Sequence, residues 1–270
     1  MNNRIDQTFQ RLREKKEAAF VSYVCAGDPH YEASLSCVRA LADAGADVIE
    51  LGVPFSDPQA DGIVNQLAAE RALNAGMSVA KLMDFIRDFR STHDTAIVLF
   101  TYLNPVYAYG YEKFHTDAAT AGADGILLLD LPPDEVANNQ ELAKSEGLKH
   151  ITLISPSTPA ARMKMLAEQS EGFIYALSRM GVTGAQAAPS AAIGELVASI
   201  KSHTDTPVCV GFGINTADQA SQVAQSSDGV VVGSAIVNQI AENADQSNLA
   251  EIVSDFTTPL INATKNPIQL

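Results

Sequence analysis

The sequence predicts an α/β fold, a single (β/α)8-barrel domain over residues 1–270 with an extra N-terminal helix. Two observations predict it. Eight short apolar runs recur along the chain, each close to continuous in hydrophobicity, as strands of a parallel sheet covered on both faces are. Longer helical patterns lie between the runs, and no linker, low-complexity stretch or charge block interrupts them. Eight strand–helix units in a chain of 270 residues suit a closed barrel. An open doubly wound sheet would be favoured by a G-x-G-x-x-G turn after the first run, but AGDPH (26–30) stands there.

The first segment, MNNRIDQTFQRLREKKEAAF, lacks the apolar core of a signal peptide. Ile5, Phe9 and Leu12 recur at helical spacing, which predicts a short amphipathic helix lying on the domain. The runs follow: AFVSYV (19–24), DVIEL (47–51), AIVLFT (96–101), GILLL (125–129), ITLIS (151–155), FIYAL (173–177), PVCVG (207–211) and GVVVG (229–233). Helices are expected from Ala33 to a stop at Gly45, from Asp134 to Gly147, after a Thr158 cap with Pro159 in the first turn, and after Asn215–Thr216.

Composition narrows the function classes. At 46% hydrophobic and 19% charged residues the chain can bury a sizeable core, and no apolar run is long enough to span a bilayer. The formal net charge of −14 argues against nucleic acid and anionic membranes as partners, since both demand clustered positive charge. An anionic ligand must therefore be held locally, by backbone N–H groups and helix N-termini. Cys25, Cys37 and Cys209 are odd in number and in apolar settings, so they read as small core residues of a cytoplasmic protein.

In such a barrel the chemistry sits in the loops after the strands. Glu50 lies inside the second run, and strand alternation sets it opposite Ile49 and Leu51, pointing into the barrel near its top. Partial desolvation there raises a carboxyl pKa toward values useful for acid–base work. Asp61, in VPFSDPQADG, is either a second carboxylate at the mouth or the N-cap of a helix over 63–74; Asp57, before Pro58, reads as a turn residue. Glycine-bracketed turns follow three successive runs: Gly181–Gly184, Gly211–Gly213, and Gly233–Ser234, which opens a helix. Loops after the seventh and eighth strands are where this fold commonly binds phosphate. No Lys lies in or just after a run, which disfavours a Schiff-base aldolase. The five histidines are scattered without metal-ligand spacing, so neither a metal nor a cofactor is expected. Metal-free acid–base chemistry by carboxylates on a phosphorylated substrate remains.

Taken in order, FVSYVCAGDP (20–29), DVIELGVPFSDPQADG (47–62), TYLNPVYAYG (101–110), DLPPDE (130–135), SRMGVTGA (178–185), GFGI (211–214) and VVGSAIV (231–237) resemble the tryptophan synthase alpha chain family. The resemblance implies a TIM barrel that cleaves indole-3-glycerol phosphate to indole and glyceraldehyde 3-phosphate. It implies Glu50 as the catalytic glutamate and Asp61 as the aspartate that contacts the indole nitrogen, with Tyr175 as an active-site tyrosine. Thr183, Gly184, Phe212, Gly213, Gly233 and Ser234 fall on or beside phosphate-binding positions, and Phe20, Ser22, Tyr102 and Leu128 are expected to line the indole pocket. A pyridoxal-phosphate beta chain is the implied partner, in an alpha2-beta2 complex, with loops 54–62 and 179–188 closing and signalling between the two. Ser22, Gln59, Ile63 and Leu129 depart from the residues usual in the family. Two other readings stay open: a different phosphate-binding barrel, an isomerase or synthase, and a non-catalytic subunit that activates a partner.

Overall fold

The computed structural model describes residues 3–132, 135–178, 190–211 and 213–266. Its strands are β1 (Ala19–Cys25), β2 (Val48–Gly52), β3 (Ala96–Thr101), β4 (Gly125–Leu128), β5 (Lys149–His150), β6 (Thr152–Ile154), β7 (Ile174–Leu177), β8 (Val208–Gly211) and β9 (Gly229–Val232). They form one parallel sheet in the order β5-β4-β3-β2-β1-β9-β8-β7-β6. The two ends of that order are neighbours in the chain, parted only by Ile151, whose N–H donates to Ile126 O at 2.9 Å. Counting β5 and β6 as one interrupted strand recovers the eight expected runs around a barrel.

Helices fill the connections. They are α1 (Arg4–Lys15), α2 (Tyr31–Asp43), α3 (Ile63–Asn74), α4 (Val79–Arg90), α5 (Leu103–Tyr109), α6 (Tyr111–Ala121), α7 (Val136–Ser145), α8 (Ala160–Glu168), α9 (Ser190–Lys201), α10 (Ala217–Ala224), α11 (Ser234–Glu242) and α12 (Leu249–Lys265). Thr216 caps α10 as expected, its hydroxyl accepting from Gln219 N. Thr158 does not cap α8: Pro159 occupies the N-cap, and the Thr158 hydroxyl turns back to accept from Ser155 N at 3.1 Å.

Strand parity divides the core in two. Val21, Val48, Val98, Leu127, Tyr175, Cys209 and Val231 pack inside the barrel, where Ile5, Phe9 and Leu12 of α1 join them. The amphipathic helix read from the sequence therefore contributes to the interior packing, with the Phe9 ring 5.7 Å from that of Phe173. The alternate residues, among them Phe20, Ile49, Leu99, Ile126 and Leu128, belong to the larger cluster shared with Val38, Leu41, Phe85 and Phe114 of the helices.

One device recurs at the end of the barrel where the strands begin. Asp47, Asp124 and Asp228 each stand at the start of a strand and accept from the first N–H groups of the strand beside it. Phe20 N donates to Asp47 at 2.9 Å, Ile97 N to Asp124 at 2.8 Å and Val208 N to Asp228 at 2.8 Å. A cation also meets each carboxylate: Arg11 and Lys265 at Asp47, Arg4 and Arg90 at Asp124, and Lys201 at Asp228. Carboxylates bonded to both backbone N–H and a cation make strong contacts, so this end is tied together through side chains as well as the ladder.

Ser22 departs from this pattern of satisfied polar groups. It is fully buried on the helix-facing side of β1, and its hydroxyl has no hydrogen-bond partner among the described residues. Unpaired buried hydroxyls cost about 1–3 kcal/mol. Ser22→Ala is thus expected to raise unfolding stability by about 1 kcal/mol, read as a higher urea midpoint at unchanged slope; a lower midpoint would show that the hydroxyl has a partner.

Candidate active site

Glu50 occupies the inward parity of β2, with Tyr23 of β1 and Val98 of β3 as its register partners. It is 1% exposed, and neither carboxyl oxygen has a hydrogen-bond partner among the described residues. Burial, with no cation to oppose it, pushes its pKa from the usual 4.5 up to about 8. At neutral pH such a group is largely a neutral acid.

Two phenols reach over glycines on the next strand. A Cβ on Gly52 would lie 2.5 Å from the Tyr23 hydroxyl, and one on Gly211 would lie 2.8 Å from the Tyr175 hydroxyl. Any larger residue at either position would displace the ring, so these glycines are what let both tyrosines lie inside the barrel. Burial raises the pKa of both phenols, with the Glu50 charge among the lesser causes, and both stay protonated. Phe100 meets Tyr23 edge-on at 5.0 Å and completes an aromatic wall.

Asp61 lies in the loop between β2 and α3. Its Oδ2 accepts from the Tyr102 hydroxyl at 2.7 Å, and that hydroxyl accepts in turn from Ala60 N at 3.0 Å. Asn65 Nδ2 approaches Oδ1 at 3.4 Å, and Gln66 Nε2 donates to the Asp61 carbonyl at 2.8 Å. Gly62, not Asp61, is the N-cap of α3, and no side chain caps that helix. The capping reading of Asp61 is therefore set aside. Burial raises its pKa, and the bonds from Tyr102 and Asn65 oppose the rise. Asp57 stays in an exposed turn, its Oδ2 accepting from Ser56 at 2.6 Å.

Of the other expected site residues, Tyr175 points inward and Tyr102 anchors the loop through Asp61. Phe20, Ser22 and Leu128 do not line the interior: all three have the helix-facing parity, which corrects the expected indole pocket. Tyr23, Phe100 and Leu127 take the inward positions in their place. The first strand is apolar on both faces, so its pattern cannot reveal parity; a glycine on the neighbouring strand opposite a large ring is the signal that could have. Gly213 has φ +78°, a left-handed conformation that suits glycine. Gly233 is the N-cap of α11 and Ser234 its first, exposed residue, where the first N–H groups lack intrahelical acceptors. Since β8 and β9 are paired, these two loops are neighbours. Thr183, Gly184 and Phe212 lie outside the described residues, as does the whole of the loop 179–188. Among the described residues no group of three His, Cys, Asp or Glu could hold a metal ion.

The Glu50 environment generates a stability prediction. Between pH 4.5 and about 8 the unfolded chain binds fewer protons at this position than the folded one. Its contribution therefore becomes less favourable as pH rises, by about 1.4 kcal/mol per unit. Glu50→Gln removes that slope. The stability of the Gln variant relative to wild type, measured by urea unfolding at pH 5, 6.5 and 8, is expected to increase with pH; a constant difference would mean that the folded carboxyl titrates normally.

Comparison with known proteins identifies the family. The family model for the tryptophan synthase alpha chain matches residues 9–263. The alpha chain of Desulfosudis oleivorans is 44% identical over 263 residues, covering 97% of this chain and 99% of that protein. That of Opitutus terrae is 48% identical over 241 residues, covering 89% and 91%. Among solved structures, tryptophan synthase subunit alpha from Legionella pneumophila superposes with a TM-score of 0.90 at 36% identity, covering 98% of this chain and 99% of that one. A Mycobacterium tuberculosis tryptophan synthase structure gives 0.89 at 36% identity, with the same coverage. With a family model over nearly the whole chain and relatives of this identity and coverage, the chain belongs to the tryptophan synthase alpha chain family.

Proposed function

We propose that this chain is a carbon–carbon lyase that cleaves indole-3-glycerol phosphate to indole and glyceraldehyde 3-phosphate in tryptophan biosynthesis, with Glu50 as the acid–base group. The observation that carries the assignment of Glu50 is its buried, unpartnered carboxyl with a pKa of about 8. The neutral acid protonates C3 of the ring, and the carboxylate so formed takes the proton from the hydroxyl on the adjoining carbon. As that O–H bond breaks, the carbonyl forms and the C–C bond to the ring is cleaved. The released electron pair restores the aromatic ring, so one carboxyl group serves both transfers.

Asp61 accepts the ring N–H and stabilises the positive charge that develops there once C3 is protonated. Gly213, Gly233 and Ser234 hold the phosphate through backbone N–H groups and the N-terminus of α11, together with Thr183, Gly184 and Phe212. The phosphate supplies remote binding energy that positions the reacting carbon. Local donors suit a chain of net charge −14, which cannot attract an anion by its overall field.

A tryptophan synthase beta chain is the proposed partner, in an alpha2-beta2 complex that passes indole to it. Support comes from the exposed apolar residues Ile63 and Leu67, at the start of α3, and Tyr107 on α5, which are 65%, 46% and 76% exposed. Both elements follow the C-terminal ends of adjacent strands, beside the mouth. No helix among the described residues is long and apolar enough to cross a membrane. A cytoplasmic setting is proposed from the biosynthetic role and the three unpaired cysteines.

Steady-state release of indole from indole-3-glycerol phosphate tests the reading, with and without a beta chain. Wild type is expected to turn over, faster with the partner. Glu50→Gln is expected to lose about 10²-fold or more, and retention of over about a tenth of the rate would remove Glu50 from its role. Asp61→Asn is expected to show a smaller but clear fall. Since the first step uses neutral Glu50, kcat/KM is expected to decline as pH rises through about 8; a profile still climbing at pH 9 would refute the neutral-acid assignment.

A further inference from the structure

Asn65 is the third residue of α3, and its amide is half satisfied. Nδ2 faces Asp61 Oδ1 at 3.4 Å, whereas the amide oxygen is buried with no partner among the described residues. An unpaired buried oxygen is unfavourable, and an apolar residue at this position would avoid it. The amide does, however, complete a set of three donors around one residue: Tyr102 on Oδ2, Asn65 on Oδ1 and Gln66 on the backbone carbonyl. Catalytic hydrogen bonds are often long without substrate and shorten in the complex.

The other titratable groups near Asp61 lie on several elements. Tyr102 follows β3, Tyr23 and Cys25 are on β1, and Tyr175 is on β7; each feels the Asp61 charge, and burial keeps each protonated. Glu50, on β2, is the other acid inside the barrel. No cation counts among the causes of the Asp61 shift, whose only opposing influences are the bonds from Tyr102 and Asn65. Neutral donors alone therefore favour the carboxylate.

We propose that Asn65 is a positioning residue of the cleavage reaction, its amide N–H holding Asp61 Oδ1 while Tyr102 holds Oδ2, so that the carboxylate stays charged and oriented toward the substrate ring N–H. The proposal rests on the lyase reading above and adds to it a specific function for a residue of the first turn of α3. It also explains why a polar side chain with an unpaired oxygen is present there.

The test compares wild type with Asn65→Leu, branched at the same carbon but without a donor, and with Asn65→Ala in case Leu does not fold. Two readouts are taken: the pH profile of kcat/KM for indole release, and direct titration of the Asp61 carboxyl by carbon-13 NMR. In the variants the acid limb and the Asp61 titration are expected to move to higher pH together, by about one unit, with kcat/KM down about tenfold at neutral pH. A lower melting temperature with both titrations unmoved would reduce Asn65 to a structural residue and overturn the proposal. Movement to lower pH would also overturn it, because Asn65 would then be accepting from a protonated Asp61. Wild type that binds but never cleaves the substrate would defeat the lyase reading and the catalytic role together, whereas normal wild-type turnover with an unmoved variant defeats only this proposal.

Discussion

Taking a carboxyl group out of water without giving it a partner is costly, and Glu50 sits where it cannot escape that cost. Five-residue ladders to β1 and β3 hold β2 on both sides. Rotating Glu50 out of the interior would break them and carry Ile49 and Leu51 out of the helix-facing core. The available relief is protonation, which is what a pKa of about 8 expresses. Its neighbours are arranged consistently with this: Tyr23, Val98, Tyr175 and Cys209 bring no positive charge toward it. A single Lys or Arg at one of those inward positions would return the group to the ordinary range and remove its usefulness as an acid.

The rigidity needed to enforce this comes from the opposite end of the barrel. Asp47, Asp124 and Asp228 tie neighbouring strands through backbone N–H groups and cations, and Ile5, Phe9 and Leu12 pack into the interior from α1. In the loop between β2 and α3, the side-chain bonds run chiefly through Tyr102, Asn65 and Gln66 to Asp61, and from Ser56 to Asp57. Because the strand starts are bonded far from the chemistry, the loop between β2 and α3 can respond to ligand without loosening the strands that carry Glu50.

Much of this was legible in the sequence, and what was not had a physical reason. The barrel followed from apolar runs alternating with helical patterns, and Glu50 stood out because one charged residue inside an apolar strand declares its parity. Phe20, Ser22 and Leu128 rest on the family resemblance alone, and strands buried on both faces carry no alternation that could check it, so an inward ring cannot be told from an outward one without the register. Tyr23 becomes legible only with its partner Gly52, a correlation between strands that a linear reading does not contain. Two of the three strand-start aspartates, Asp47 and Asp124, stand in a repeated Ala-Gly-Ala-Asp at 44–47 and 121–124, but their function needs the neighbouring strand. Asn65 looked like any polar residue in a first helical turn, and only its distance to Asp61 distinguishes it.

In the proposed reaction the two acids have opposite duties although they are the same functional group. Both are withdrawn from water, and burial alone would drive both toward the neutral form. Donors make the difference. Glu50 has none and becomes an acid that can deliver a proton. Asp61 has Tyr102 on one oxygen and Asn65 near the other, and each bond favours the charged form. Interchanging those donors would interchange the duties: a hydrogen-bonded Glu50 would lose its proton too early, and a bare Asp61 would be neutral when the ring nitrogen becomes positive. The assignment of acid and anion therefore lies in the donors that surround the two carboxyl groups, and the backbone's part is to deliver one carboxyl on a strand where donors are absent and the other on a loop where they can reach it.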